Sequence, residues 1–517
     1  MGGLGIGWGI DAETTGQEKL MKLLPILVHL ILVATLGAAQ TSAVSDVEQV
    51  SADPASKYNV LFIISDDLTA TAVSSYENGV CQTPNIDRLA ARGTRFTRTF
   101  CQFPVCGPSR ASFMSGYYPH ATGTFGYVSG RKNIGDRATW SQHFINNGYH
   151  AARVSKIFHM GVPGGIEKGD NGADDALSWV ERFNSQGPEW KAPGDSELLE
   201  NNPDGTKPVK GGNTLELVKA DGDHMVHSDG KTAKKASELL RAYKQLDKPF
   251  FLAVGFVRPH VPFVAPREFY EPYDWANIEL PEKVPGDWDD IPKAGINYKT
   301  SVNLNLNTEQ EQKGVAAYYA SVAFMDAQVG KVLDTLREEG LEENTIVIFT
   351  SDHGFHLCEH DFWMKVGLMD ESSRVPLIIA VPGKKPAVCD SFTELVDLYP
   401  TVAELCGLEV PARLQGKSLV ATLDDPSVAV RDAAFCVNGN SFMLRTDQWS
   451  FIQHGKQGQL GMQLFDMKKD PKQYTNLALD PKHADVVASF QKRLAAKLTE
   501  INNNDLADVK KKRSNSK

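Results

Sequence analysis

Short runs of nearly unbroken apolar residues recur along the chain, and each stops at a cluster of polar ones. Tyr58-Asn-Val-Leu-Phe-Ile-Ile-Ser65 and Asn344-Thr-Ile-Val-Ile-Phe-Thr-Ser351 are rich in β-branched and aromatic residues, which predicts central parallel strands covered on both faces. The first stops at Asp66-Asp67 and the second at Asp352-His353-Gly354. Pro249-Phe-Phe-Leu-Ala-Val-Gly-Phe256 repeats the pattern and empties into Val257-Arg258-Pro259-His260-Val-Pro-Phe263, where the prolines keep His260 in an extended loop. Further strands are predicted over residues 94–100, from Gly148 toward His159, and from Arg374 to Pro382. Helical spacing fits residues 83–93, 229–244, 308–340 and 391–407, with Tyr318, Val322 and Met325 on the core side of the third. Residues 160–232 and 266–300 carry little periodicity and read as long loops walling a site, the former with a short helix at 174–183.

The alternation of strand and helix predicts an α/β fold with a large, mostly parallel sheet sandwiched by helices. From about residue 426 the segments shorten. Those at 433–437, 441–446, 449–454 and 462–466 predict a small antiparallel sheet with a closing helix inside 477–498, a C-terminal α+β subdomain. The expected organisation is a catalytic domain at 52–425, a subdomain at 426–500 and a flexible basic tail at 501–517.

Composition changes this picture in two places. The formal net charge of -10 over 517 residues argues against a nucleic-acid partner, so an anionic substrate must be met by local positive charge. Met21-Lys22, the apolar run after it and Gly37-Ala38-Ala39 read as a signal peptide at 21–43, which predicts export to a periplasmic or extracellular space without stable membrane association. Residues 1–20 lack that logic and read as a spurious extension ahead of a start at Met21. The seven cysteines are too widely spaced for a disulfide framework or a Cys-x-x-Cys zinc site.

The candidate chemistry lies at the strand ends. Two adjacent acids repel each other, so a shared cation explains Asp66-Asp67 better than turn chemistry does. Together with Asp352 and His353 they make a mostly oxygen site that favours Ca²⁺, or Mg²⁺, over zinc. In Cys106-Gly-Pro-Ser-Arg110, Pro108 marks a helix start that directs free amides at Cys106, suited to an anion or a lowered-pKa thiolate on an exposed cysteine. Arg110 lies one turn further on, and Lys156 and His159 are three apart. A buried or disulfide-linked structural cysteine is the alternative for Cys106, and surface or core roles are the alternatives for the others taken singly.

Cys106-Gly107-Pro108-Ser109-Arg110, followed by Ser112, Ser115 and Gly116, resembles the sulfatase signature. Cys-x-Pro-Ser-Arg should arise by chance on the order of once in 1,000 such chains. With Ile64-Ser65-Asp66-Asp67, Lys156-Ile-Phe-His159, Arg258-Pro259-His260, Ser351-Asp352-His353-Gly354, Glu359-His360 and Leu464-Phe465-Asp466, the chain from about 56 to 500 resembles a type I sulfatase of the alkaline-phosphatase-like superfamily, most like the iduronate-2-sulfatase branch. The resemblance implies a divalent cation held by Asp66, Asp67, Asp352, His353 and residue 106. It also implies oxidation of Cys106 to formylglycine by a maturation enzyme. It places Arg110, Lys156 and Lys365 around the sulfate, His159 against the residue-106 diol and His260 near the leaving alcohol. The implied substrate is a terminal sulfated sugar of an oligosaccharide or polysaccharide, with His224, His227 and His360 as candidate contacts. A phosphomonoester or phosphonate hydrolase, and a non-catalytic glycan-binding protein, are the rival readings.

Overall fold

The computed structural model describes residues 58–515, so the expectations for residues 1–20 and the signal peptide at 21–43 lie outside the described residues. In chain order the strands are β1 (Asn59–Asp66), β2 (Thr94–Phe100), β3 (His150–Ser155), β4 (Glu181–Phe183), β5 (Gly194–Leu198), β6 (Glu216–Ala220), β7 (Phe250–Pro259), β8 (Phe263–Pro266) and β9 (Thr345–Ser351). They continue with β10 (His356–Leu357), β11 (Trp363–Met364), β12 (Arg374–Ala380), β13 (Ala387–Glu394), β14 (Ala433–Asn438), β15 (Ser441–Thr446), β16 (Trp449–His454) and β17 (Met462–Asp466).

Eight strands form the main sheet in the order β13-β2-β12-β9-β1-β7-β3-β4. β12 pairs antiparallel with both neighbours, and every other pairing in the sheet is parallel. The apolar run of β1 is unbroken because the strand is covered twice. Leu61 and Ile63 enter one core with the Ser228–Tyr243 and Thr308–Glu338 helices, while Val60, Phe62 and Ile64 enter the other with Phe113, Trp140 and Leu398. The 31-residue Thr308–Glu338 helix starts at a capping box in which Asn307 and Gln310 satisfy each other's backbone N–H groups.

Parallel order sends the loops after β1, β2, β3, β7 and β9 to one edge of the sheet. Ser65 of β1 lies opposite Ser351 of β9, so Asp66-Asp67 and Asp352-His353 leave side by side. Gly255 lets the chain beyond β3 pass close to β7, since a Cβ there would meet the Lys156 carbonyl oxygen at 2.1 Å.

Several expectations are corrected. Residues 174–183 form no α-helix: they give a single 3₁₀ turn at Ala176–Ser178 and then β4, which adds to the sheet edge beside β3. Residues 387–394 are the edge strand β13, and the predicted helix begins only after it, at Leu398–Leu405. The antiparallel sheet β14-β15-β16-β17 is present as expected, and its two faces pack differently. Cys436, Met443, Ile452 and Phe465 join the core beneath the main sheet, while Phe435, Phe451 and Leu464 pack on Phe490 and Leu494 of the Ala484–Asn502 helix. Nor is the chain beyond 501 a loose tail throughout. Leu506 and Val509 are buried, and Arg137 bonds Asp505 at 3.1 Å and Asp508 at 2.8 Å.

Candidate active site

The Cys106–Ser115 helix begins at the cysteine itself, with Pro108 in its first turn, where a missing N–H costs nothing. All ten of its residues are buried, and Cys106 is 1% exposed, so the expected exposed cysteine is in fact enclosed. Residues 126 and 127 press on the neighbouring Gly107, where a Cβ would lie 2.7 Å from the Gly126 carbonyl oxygen.

Asp66, Asp67, Cys106, Arg110, Lys156, His260, Asp352, His353 and Lys365 converge here, all buried. His353 Nε2 lies 3.3 Å from Cys106 Sγ and 3.3 Å from Asp67 Oδ1, while its Nδ1 sits 2.9 Å from the Gly354 carbonyl. That second contact assigns the proton to Nδ1 and leaves Nε2 as a lone pair aimed into the cluster. Arg110 donates from Nε to Asp352 Oδ2 at 2.8 Å and from Nη2 to Asp66 Oδ1 at 3.1 Å. Lys156 pairs with Asp66, and Lys365 Nζ donates to both Asp67 oxygens at 2.7 and 2.8 Å. Lys365 Nζ also lies 3.4 Å from Cys106 Sγ and 3.1 Å from His260 Nε2. His159 stacks on Tyr127, ring centres 4.1 Å apart, and its buried Nδ1 has no hydrogen-bond partner.

Burial would raise the Asp66 carboxyl, but Lys156 and Arg110 outweigh it and hold Asp66 well below the carboxylate range. At Asp67 burial prevails over Lys365 and His353, and its carboxyl is raised. Burial and then Asp66 push the Cys106 thiol up, against the pull of Lys365 and Lys156. Enclosure beside a carboxylate thus opposes the pull of the helix amides on the thiol. His260 is held neutral by burial and by Lys365, and His159 is lowered to about 2 by burial and Lys156.

The side chains fit a hard divalent cation. Asp66, Asp67, Cys106 and His260 offer ligand atoms all within 4.8 Å of one another, as do Cys106, Asp352 and His353. Between them the two groups supply three carboxylates beside one thiol and two imidazoles. A third group, Glu311, Cys358 and Asp361, is closed by Lys283 Nζ, 2.7 Å from each acid.

The three histidines expected to contact substrate lie outside this cluster. His224 bonds Glu268 at 2.9 Å and faces Gln328 and Lys331 on the long helix. His227 packs on Phe324 at the start of the Ser228–Tyr243 helix, and His360 is tied to Asp287 at 2.9 Å and packs on Tyr474. Each histidine is engaged by its own neighbourhood, and among the described residues no hydrogen bond or ring contact joins any of the three to the cluster. Other groups were not foreseen. Tyr318 Oη donates to the Asp67 carbonyl at 2.7 Å and accepts from Thr69 N–H at 2.9 Å, fixing the turn in which Asp67 takes a φ of 66°. Tyr127 and Tyr298 flank the cluster, both part-exposed. A tyrosine on a helix face or in a loop carries no motif that would have marked it.

A polar edge of a mostly parallel sheet, with acids, cations and a cysteine at a helix start, defines a hydrolase site for a tetrahedral oxyanion ester. The sulfatase family model matches residues 58–408, and the chain belongs to the sulfatase family of sulfuric ester hydrolases. A model described as N-sulphoglucosamine sulphohydrolase, C-terminal, matches residues 358–500. A sulfatase of Formosa agariphila is 31% identical over 86% of this chain and 87% of its own. Iduronate 2-sulfatase of Mus musculus is 34% identical over 69% of this chain and 70% of its own. The solved phosphonate monoester hydrolase of Agrobacterium radiobacter superposes with a TM-score of 0.70 at 22% identity, covering 87% of this chain and 97% of that one, a likeness of fold.

Proposed function

We propose that the protein removes sulfate from a terminal sulfated sugar of a glycan, with residue 106 working as a formylglycine diol. The observation that carries this reading is the enclosure of Cys106 between His353 and Lys365, among acids that face Arg110, Lys156 and Lys365. Three carboxylates meet three cations there, so a divalent ion leaves the site net positive, which an anionic ester then offsets. Asp66, Asp67, Asp352, His353 and residue 106 would hold that ion, Ca²⁺ by the oxygen-rich donor set and Mg²⁺ as the alternative. When bound, it would polarise the sulfate and lower the pKa of the diol.

In this reading one oxygen of the diol attacks sulfur in line, and the sugar oxygen leaves from the opposite side. Arg110, Lys156 and Lys365 hold the sulfuryl oxygens as charge redistributes. The Lys365 ammonium, 3.1 Å from His260 Nε2, gives up a proton that His260 passes to the departing oxygen. His159 then takes the proton of the second hydroxyl, and the C–O bond to sulfate breaks as the aldehyde reforms. A thiol at 106 has no second hydroxyl, so a maturation enzyme belongs to the scheme. Export to a periplasmic or extracellular space follows from the leader sequence. Among the described residues no helix is long and apolar enough to cross a membrane.

Side-by-side assay of aryl sulfate and aryl phosphate, with mass analysis of the residue-106 peptide, tests the reading. Sulfate release that tracks the aldehyde supports it. Preferential phosphate release, or no turnover by fully matured, metal-loaded protein, sinks it.

A further inference from the structure

Beside the catalytic cluster, between residues 294–298, residues 366–369 and the sheet β14–β17, lies a cavity of about 130 Å³. That is on the order of ten times what one water needs. Its lining mixes apolar side chains with uncharged polar ones: among the described residues no Lys, Arg, Asp or Glu contributes to it. His356 is fully buried there, four residues beyond Asp352, and neither ring nitrogen has a hydrogen-bond partner. Gly367, one residue from Val366 and two from Lys365, leaves room for it, since a Cβ there would meet His356 Nε2 at 2.9 Å. On the opposite wall Gln463 spends its amide nitrogen on His454 Nε2 at 2.8 Å, and its buried Oε1 is unpartnered. His454 in turn bonds Ser441 Oγ at 2.9 Å. Burial lowers His356 to about 3, with His360 adding to the effect, and lowers His454 to about 4, so both rings are neutral.

Tyr298 links this cavity to the chemistry. It lines the cavity, and its Oη lies 3.7 Å from the sulfur of Met364, the residue before Lys365. Unpartnered buried donors and acceptors are costly, and a water chain or a ligand rich in hydroxyls relieves them. A hydroxyl both donates and accepts, matching a neutral imidazole and the Gln463 oxygen. A carboxylate only accepts, and calls for an arginine or lysine that the lining lacks.

We propose that this cavity is the subsite for the sugar bearing the sulfate, with His356 and Gln463 hydrogen-bonding its hydroxyls, and that this sugar is a neutral hexose or deoxyhexose rather than a uronate. The proposal rests on the sulfate-ester reading above, and the experiment separates the two. Matured, metal-loaded enzyme is assayed on 4-nitrophenyl sulfate, a sulfated methyl fucoside and a 2-sulfated methyl uronoside, alongside the variants His356→Ala and Gln463→Ala. The expected result is preference for the fucoside, with its kcat/KM falling tenfold or more relative to that for the aryl ester in either variant, mainly through KM. Preference for the uronoside, or an equal loss on all three esters, overturns the subsite and leaves the sulfatase reading intact. No turnover of any ester overturns both. Should His356→Ala fail to fold, Gln463→Ala on the C-terminal sheet carries the test. Competitive inhibition by unsulfated methyl fucoside, weakened tenfold in that variant, is the second readout, and inhibition unchanged by the substitution also overturns the subsite.

Discussion

His260 and His353 are both imidazoles at strand ends, yet their hydrogen bonds give them different work. Each ring has its Nδ1 against a nearby carbonyl, Val261 for His260 at 2.6 Å and Gly354 for His353 at 2.9 Å. The free Nε2 of His353 meets Asp67 and Cys106, as a ligand should, whereas that of His260, 3.8 Å from Asp67, accepts from the Lys365 ammonium, as a relay that passes that proton to a leaving oxygen should. His260→Gln is therefore expected to cut turnover of a sugar sulfate by about 10²–10⁴ and that of an aryl sulfate, whose leaving group needs little help, far less. Equal losses in steady-state assays would remove His260 from that role. His227, by contrast, serves stability: burial, then Arg258 and His224, lower it to about 4 from an ordinary value near 6.5. Between those values the unfolded chain takes a proton that the folded one refuses, so stability is lost as pH falls from about 6.5 toward 4, at about 1.4 kcal/mol per pH unit. His227→Gln should flatten the urea-unfolding stability profile by one proton in that window. The acids, cysteine and cations of the cluster were legible because motif spacing and strand ends mark them. His224, His227 and His360 were harder to place, because histidines in a loop look alike until their partners are known.

The segment that delivers His260 is an element locked from three sides. Asp229 accepts from the N–H groups of Val257 and Arg258 at 2.8 and 2.9 Å, Glu189 pairs with the Arg258 guanidinium, and that guanidinium donates to the His260 carbonyl at 2.7 Å. Glu189→Gln leaves a buried arginine uncompensated and should cost about 3–5 kcal/mol in denaturant unfolding, with a fall in kcat as His260 loses its seat. A loss below about 1 kcal/mol would show the pair to be incidental. None of this could be read from the chain, since Asp229 and Glu189 lie far from Arg258 in sequence and look like surface acids. β1, β7 and β9 were legible because double burial demands an unbroken apolar run. β13 was not, because an edge strand carries Asp390 and Ser391 among its apolar residues and imitates the start of the helix that follows.

Over the whole molecule a net charge of -10 surrounds a site whose buried cations are matched by buried acids. Calcium at about 100 times its Kd should raise stability by about 2.7 kcal/mol, seen as a higher midpoint in thermal or urea unfolding, and Asp352→Asn should abolish most of that gain. An identical shift in the variant would place the ion elsewhere. Sulfate ester cleavage here depends on residue 106 acting as an aldehyde hydrate. The most direct measurement is sulfate ester turnover plotted against the aldehyde fraction at that residue, in preparations made with and without a maturation enzyme. The expected plot is a straight line through the origin. A preparation carrying only the Cys106 thiol, yet turning over as fast as the fully converted one, would contradict it.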